Sequence, residues 1–160
     1  MARIERDRED LLANATALVR RVELSTPESP QHIIVGFRAN GCGSVYFGQD
    51  VAYQFNSNGQ MRRAHRQGVM FKAESGRLVS LRRRRDKGAV VLDRHALSEI
   101  ETERFLVEMS YCLDGLRSSL ESGAFDVIGQ VPVDEDLVAA ARCWLTGLPA
   151  ASIAQSPHVR

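Results

Sequence analysis

The sequence has 160 residues, of which 44% are hydrophobic and 26% charged, and its 21 basic and 20 acidic residues leave a formal net charge of +1. A chain of this length fits one domain, and this composition excludes disorder along its whole length. The near-zero net charge excludes a global bias toward nucleic acid or acidic membranes, so only the placement of charge can carry such information.

From the N-terminus, Ile4, Leu11, Leu12, Ala15, Leu18, Val19 and Val22 recur largely at three- and four-residue steps, which predicts an amphipathic helix over 4–24. Glu5, Asp7, Glu9 and Asp10 stand near its start and Arg20 and Arg21 near its end, as the helix dipole favours. Pro27 and Pro30 stop it.

The period then changes to two. Strands are predicted at 32–38, 44–48, 51–56, 61–65, 69–74, 77–83 and 89–93. Turn signals separate them at Asn40-Gly41, Gln49-Asp50, Asn56 to Gly59, Gln67-Gly68, Ser75-Gly76 and Asp86 to Gly88. The gaps are too short for crossover helices, so the meander over 32–93 must be antiparallel.

Beyond it, Ser98 and Glu101 form a capping box that opens a helix over 98–122. Its apolar stripe is Phe105, Leu106, Met109, Cys112, Leu113, Leu116 and Leu120, and Gly123 closes it. A late strand at 125–131 and a helix over 134–146 follow, and residues 150–160 read as a loose tail. The expected fold is α+β. A curved antiparallel β-meander of six or seven strands is flanked by an N-terminal helix and a long C-terminal helix, in one domain over 1–149. On element order alone, pleckstrin-homology-like barrels and half-barrels are put together in this way.

Charge is segregated along the chain. Residues 61–95 hold eleven Lys or Arg against three acids, a net of +8, whereas residues 97–136 hold ten acids against two arginines, a net of −8. Three readings compete. The acidic helix compensates the basic strands, within one chain or across a dimer. The arginine hairpins contact phosphates. Or both runs are solvated faces and guarded edges.

Catalytic signals are sparse. Cys42, between two glycines at a predicted turn, is the candidate nucleophile, and its activation would require a base such as His32, His65 or His95. Cys112 and Cys143 fall on predicted apolar helix faces and read as packing residues. The four histidines lack zinc-site spacing, and Asp134 to Asp136 read as helix-start acids, so no metal or cofactor is expected. Trp144 reads as packing, or as a partner anchor with Leu145 and Leu148 if its stripe is uncovered. The charged N-terminus, the short apolar runs and the three widely spaced cysteines lead to the expectation of a cytoplasmic protein with reduced thiols.

The expected function is a non-enzymatic binding or assembly domain, with a protein partner or a second copy and no membrane. One alternative is nucleic-acid binding through Arg62, Arg63, Arg66, Arg82, Arg83, Arg84 and Arg85, with Tyr53, Phe55 and Phe71 available to stack bases. The other is a small enzyme using Cys42. If the sheet has a working surface, it is expected on the basic half of the meander.

Overall fold

The computed structural model describes residues 20–25, 32–128, 135–149 and 153–154. Nine strands form one antiparallel sheet: β1 (Arg20–Ser25), β2 (Ile33–Phe37), β3 (Gly43–Phe47), β4 (Val51–Phe55), β5 (Met61–Arg66), β6 (Val69–Glu74), β7 (Arg77–Asp86), β8 (Ala89–Ala96) and β9 (Asp126–Val127). Helices α1 (Glu99–Ser122) and α2 (Glu135–Thr146) complete an α+β fold. The strand order is β8-β7-β6-β5-β4-β3-β2-β1-β9, so the sheet is open among the described residues, with β8 and β9 at its edges.

The seven predicted strands of the meander are all present, joined by turns the sequence marks. Gln67-Gly68, Ser75-Gly76 and Lys87-Gly88 each place both central residues at positive φ, the two-residue turn whose twist matches that of the flanking strands. The strand count exceeds the expectation because β1 and β9 extend the sheet beyond the meander.

The predicted N-terminal helix is not seen. Residues 4–19 lie outside the described residues, and the stretch 20–25 is strand β1. Val22 and Leu24 alternate with Arg21 and Glu23, and pairing with β2 buries both apolar side chains. Burying each contributes about 1.5–3 kcal/mol, more than any helix propensity in six residues. Of the late strand, Asp126–Val127 is formed, paired to β1, and 129–131 lie outside the described residues.

Helix α1 begins and ends as predicted. The Glu101 amide donates to Ser98 Oγ at 3.2 Å, the Ser98 amide donates to Glu101 Oε1 at 3.1 Å, and Gly123 closes the helix at φ 71°. Its buried stripe, Phe105, Met109, Leu113, Leu116 and Leu120, packs on one face of the sheet, where Val22, Val35, Val45, Tyr53 and Ala64 lie. Helix α2 covers β1 and β2 on that same face through Val138, Ala141 and Leu145.

Trp144 of α2 stacks on Phe37 with ring centres 5.9 Å apart, meets Phe55 edge-on at 5.8 Å, and donates Nε1–H to the Gly41 carbonyl at 2.9 Å. Leu145 and Leu148 are buried and Trp144 is half-buried, so this cluster packs as part of the core. Cys143, predicted to pack, is exposed.

Ile153 and Ala154, placed by sequence in a loose tail, are buried. A bulge between Gln54 and Phe55 inserts Arg62 into β5, and the β5–β6 ladder stops at Arg63 and Lys72. Ala154 fills the resulting gap: its amide donates to the Met61 carbonyl at 2.9 Å, and its carbonyl accepts from Gly76 at 3.3 Å.

Candidate functional site

Both described helices lie on one side of the sheet, and among the described residues no helix covers the other. Strand register assigns the residues of this bare face, because cross-strand partners share a side. One row runs Arg21–Gly36–Ser44–Gln54–Arg63–Lys72–Val79, and the next runs Glu23–Ile34–Tyr46–Ala52–His65–Met70–Leu81–Arg94. Two ion pairs neutralise part of the surface. Arg21 binds Glu23 at 2.6 Å, and Arg94 binds Glu74. A hydrogen bond from His32 and the Arg21 charge hold the Glu23 carboxyl below its ordinary range, and Arg94 and Lys72 do the same for Glu74. Arg63, Lys72 and Arg77 make no ion pair among the described residues, so a positive surface remains.

This surface continues into a ribbon. Strand β6 pairs with β7 only as far as Leu81, whereas β7 and β8 pair on to Asp86 and Ala89. Residues 82–86 and 89–93 therefore form a two-stranded projection at the edge of the sheet. On its bare-face side stand Arg83 and Arg85 opposite Leu92 and Val90, whose exposures are 55% and 66%. Neither arginine has an ion-pair partner among the described residues. On the other side Arg84 is held by Asp93 at 2.7 Å and reaches Asp86 at 3.8 Å.

The seven arginines of the sequence-derived binding surface thus divide. Arg63, Arg83 and Arg85 share the bare face, and Arg62, the bulge residue next to Arg63, borders the cavity beside Tyr46. Arg82 and Arg84 occupy the helix side of the ribbon.

Arg66 is no surface residue. Its side chain is 16% exposed and sits on the covered face, where Nε and Nη2 donate to Tyr53 Oη at 3.0 and 2.6 Å, and Nη2 also reaches the Phe105 carbonyl at 3.2 Å. Nη1 binds Glu108 at 2.6 Å, and the guanidinium carbon lies 4.0 Å from the Phe105 ring centre. Arg66 is a latch between sheet and helix. Burial pushes the Tyr53 phenol up to about 12 despite the opposing pull of Arg66.

Compensation between the basic strands and α1 is correspondingly narrow. Among the described residues it consists of Arg66–Glu108 and His95–Glu101.

Tyr53, Phe55 and Phe71, available by type to stack bases but on alternating strand positions that suit a core, are packed inside. Tyr53 and Phe55 are buried under the helices, and Phe71 packs at 4.7 Å on Phe105. The bare face instead offers Tyr46, which the alternation Val45-Tyr46-Phe47 could have placed outward.

A cavity of about 660 Å³ opens beside Tyr46, over the short side chains of Gly36 and Ser44. Arg21, Arg38 and Arg62 border it, and Cys42 lines it from the β2–β3 turn. Asn40 Oδ1 shapes that turn by accepting from the Cys42 amide at 3.0 Å. No histidine lines the cavity, so the base that a Cys42 nucleophile would need is not brought to it among the described residues.

A second, mixed-charge groove of about 450 Å³ lies between the ribbon base and α1, with Arg82, Asp93, His95 and Glu101 among its walls. No cluster of three metal-ligating side chains is present among the described residues, and no described helix is long and apolar enough to cross a membrane. The chain matches no family model, no curated protein and no solved structure.

Proposed function

We propose that the protein is a binding domain whose ligand is a nucleic acid, engaged through the bare face of the sheet and the β7–β8 ribbon. The observation that carries this reading is the segregation of charge by face. Arg63, Lys72, Arg83 and Arg85 share one face without ion-pair partners among the described residues, whereas the acids of α1 lie on a helix packed against the opposite face. Repulsion from those acids is screened over a Debye length of about 8–10 Å, so they do not cancel the attraction of the bare face.

Fluorescence anisotropy with mixed-sequence oligonucleotides tests the proposal. Binding is expected at 50 mM salt and should weaken steeply as salt rises. Arg83→Gln with Arg85→Gln should flatten the log–log salt slope by roughly 1.4–1.8, at about 0.7–0.9 per lost phosphate contact. Arg84→Gln, which removes an already paired charge, should change it far less. Absence of binding at 50 mM salt would end the proposal.

A second reading, assembly with another copy of the chain, is favoured by α1. Ile100, Val107 and Tyr111 stand at i, i+7 and i+11 on its outward face and are 69%, 60% and 82% exposed. Light scattering at low and high salt tests it. A dimer lost on Val107→Ser with Tyr111→Ser supports assembly, and a monomer under both conditions removes it.

A further inference from the structure

We infer that the cavity beside Tyr46 receives a single unpaired nucleotide, so that the protein distinguishes single-stranded nucleic acid from duplex. The inference rests on the nucleic-acid reading and names its substrate class.

Size, shape and chemistry converge on this ligand. At about 660 Å³ the cavity lies within the roughly 300–1,000 Å³ range of small-ligand sites. Its floor is low because the cross-strand pair Gly36 and Ser44 carries almost no side-chain bulk between Ile34 and Tyr46 on one side and Arg21 on the other. A flat ring can lie there against the Tyr46 phenol. Ser44 and Gln54 supply hydroxyl and amide groups for a base edge, and neither makes a side-chain hydrogen bond among the described residues. At the rim, Arg38 and Arg62 have no ion-pair partners among the described residues and can take the flanking phosphates.

A paired, stacked base presents no free face to Tyr46, whereas an unpaired one does. The ligand is a unit of a strand and not a free mononucleotide, because the positive surface continues out of the cavity. Gln54, in its wall, is the cross-strand partner of Arg63, which in turn pairs across to Lys72. Adjoining phosphates therefore have cations to meet.

The test compares a labelled thymidine 12-mer, an abasic 12-mer with the same phosphates, a 12-base-pair duplex and thymidine monophosphate, all at 50 mM salt. The thymidine strand should bind about 10-fold tighter than the abasic strand, as expected of one stacked base, and tighter than the duplex. Tyr46→Ala should bring thymidine-strand binding down to the abasic level and leave abasic binding unchanged. Ser44→Leu, which fills the floor, should do the same, with Trp144 fluorescence reporting that each variant is folded.

Equal binding of thymidine and abasic strands, unmoved by Tyr46→Ala, would overturn the cavity assignment and leave the nucleic-acid reading standing. Thymidine monophosphate binding as tightly as the 12-mer would overturn the assignment to a strand. No binding of any probe would remove both.

Discussion

Replacing Arg66 by alanine should destabilise the protein by about 2–4 kcal/mol without disturbing the bare face. The variant removes both donors to the Tyr53 hydroxyl, on a side chain with no solvent exposure. Leaving such a group unsatisfied costs about 1–3 kcal/mol. Loss of the guanidinium over the Phe105 ring adds about 1 kcal/mol. The Glu108 partner contributes little, since its side chain is 59% exposed and surface pairs are worth about 0–1 kcal/mol.

Glu108→Gln should therefore shift stability by less than about 0.5 kcal/mol. Arg66→Lys, which keeps the charge but lacks the fork, should fall between the two. Urea denaturation followed by Trp144 fluorescence reads all three, because the single tryptophan sits in the core cluster with Phe37 and Phe55. With a slope of about 1–3 kcal/mol per molar, the Arg66→Ala midpoint should fall by roughly 0.7–4 M. If Glu108→Gln proves as costly as Arg66→Ala, the ion pair dominates and the buried-hydroxyl reasoning is wrong. Arg66→Leu combined with Tyr53→Phe should cost less than the two single changes together, since neither partner is then left unsatisfied.

Three further outcomes follow from the packing and the titrating groups. Gly43→Ala should cost about 1–3 kcal/mol, because its Cβ would collide with the Trp144 ring and lie 2.7 Å from the Gly36 carbonyl; circular dichroism melting would show it, and Trp144→Ala should cost less in the Gly43→Ala background than alone, since it removes the ring contact and leaves only the carbonyl one. The folded Tyr53 phenol has its pKa raised from 10 to about 12, so its contribution is fully present below pH 10 and is lost as the pH rises toward 12; titration of tyrosinate absorbance should show a late step that Tyr53→Phe removes. Ser98→Ala should cost about 1 kcal/mol through the lost cap, and because the Ser98 amide, His95 and the Ser98 hydroxyl lower the Glu101 carboxyl, the cap's contribution should be present above pH 4.5 and fade as the pH falls through the lowered value. A melting temperature of the Glu101→Gln variant that still tracks that acid decline would contradict the assignment.

What was legible in the sequence is what local chemistry encodes. The Lys87-Gly88 turn and the Ser98–Glu101 box are decided within four residues, and the α1 stripe by one helical period. Strand β1 was not legible, because Leu18, Val19 and Val22 suit a helical spacing while Val22 and Leu24 suit a strand. The deciding partner, Ile33 to Phe37, lies nine to seventeen residues away in the pairing. Burial of Ile153 and Ala154 depends on a gap beside Met61 opened by a bulge in β5, a feature more than ninety residues distant in sequence. The candidate site was half legible. The block of basic residues is plain from counting, but not the face each side chain takes. Arg66 shows the difference: it stands in the same run as Arg62 and Arg63, yet register pairs it with Val51 and turns it under the helices.

The four consecutive arginines Arg82 to Arg85 make the same point about function. A strand alternates its sides, so the run cannot act as one patch of four charges. Two go to each face, and the acids of the ribbon stand on the side of only one pair. Asp93 lies opposite Arg82 and Asp86 opposite Ala89, both on the helix side, where they hold Arg84. The bare-face side faces Leu92 and Val90, which neutralise nothing. Pairing with β6 fixes the faces of β7, and the two-residue Lys87-Gly88 turn fixes which β8 side chains join them; a slip of β8 by one residue would turn Asp93 to the bare-face side. The working charge of the ribbon is therefore a consequence of its turn as much as of its arginines. A one-residue insertion between Lys87 and Gly88 that slips β8 should weaken polyanion binding in the anisotropy assay by bringing Asp93 to the side of Arg83 and Arg85, even though it deletes no positive charge.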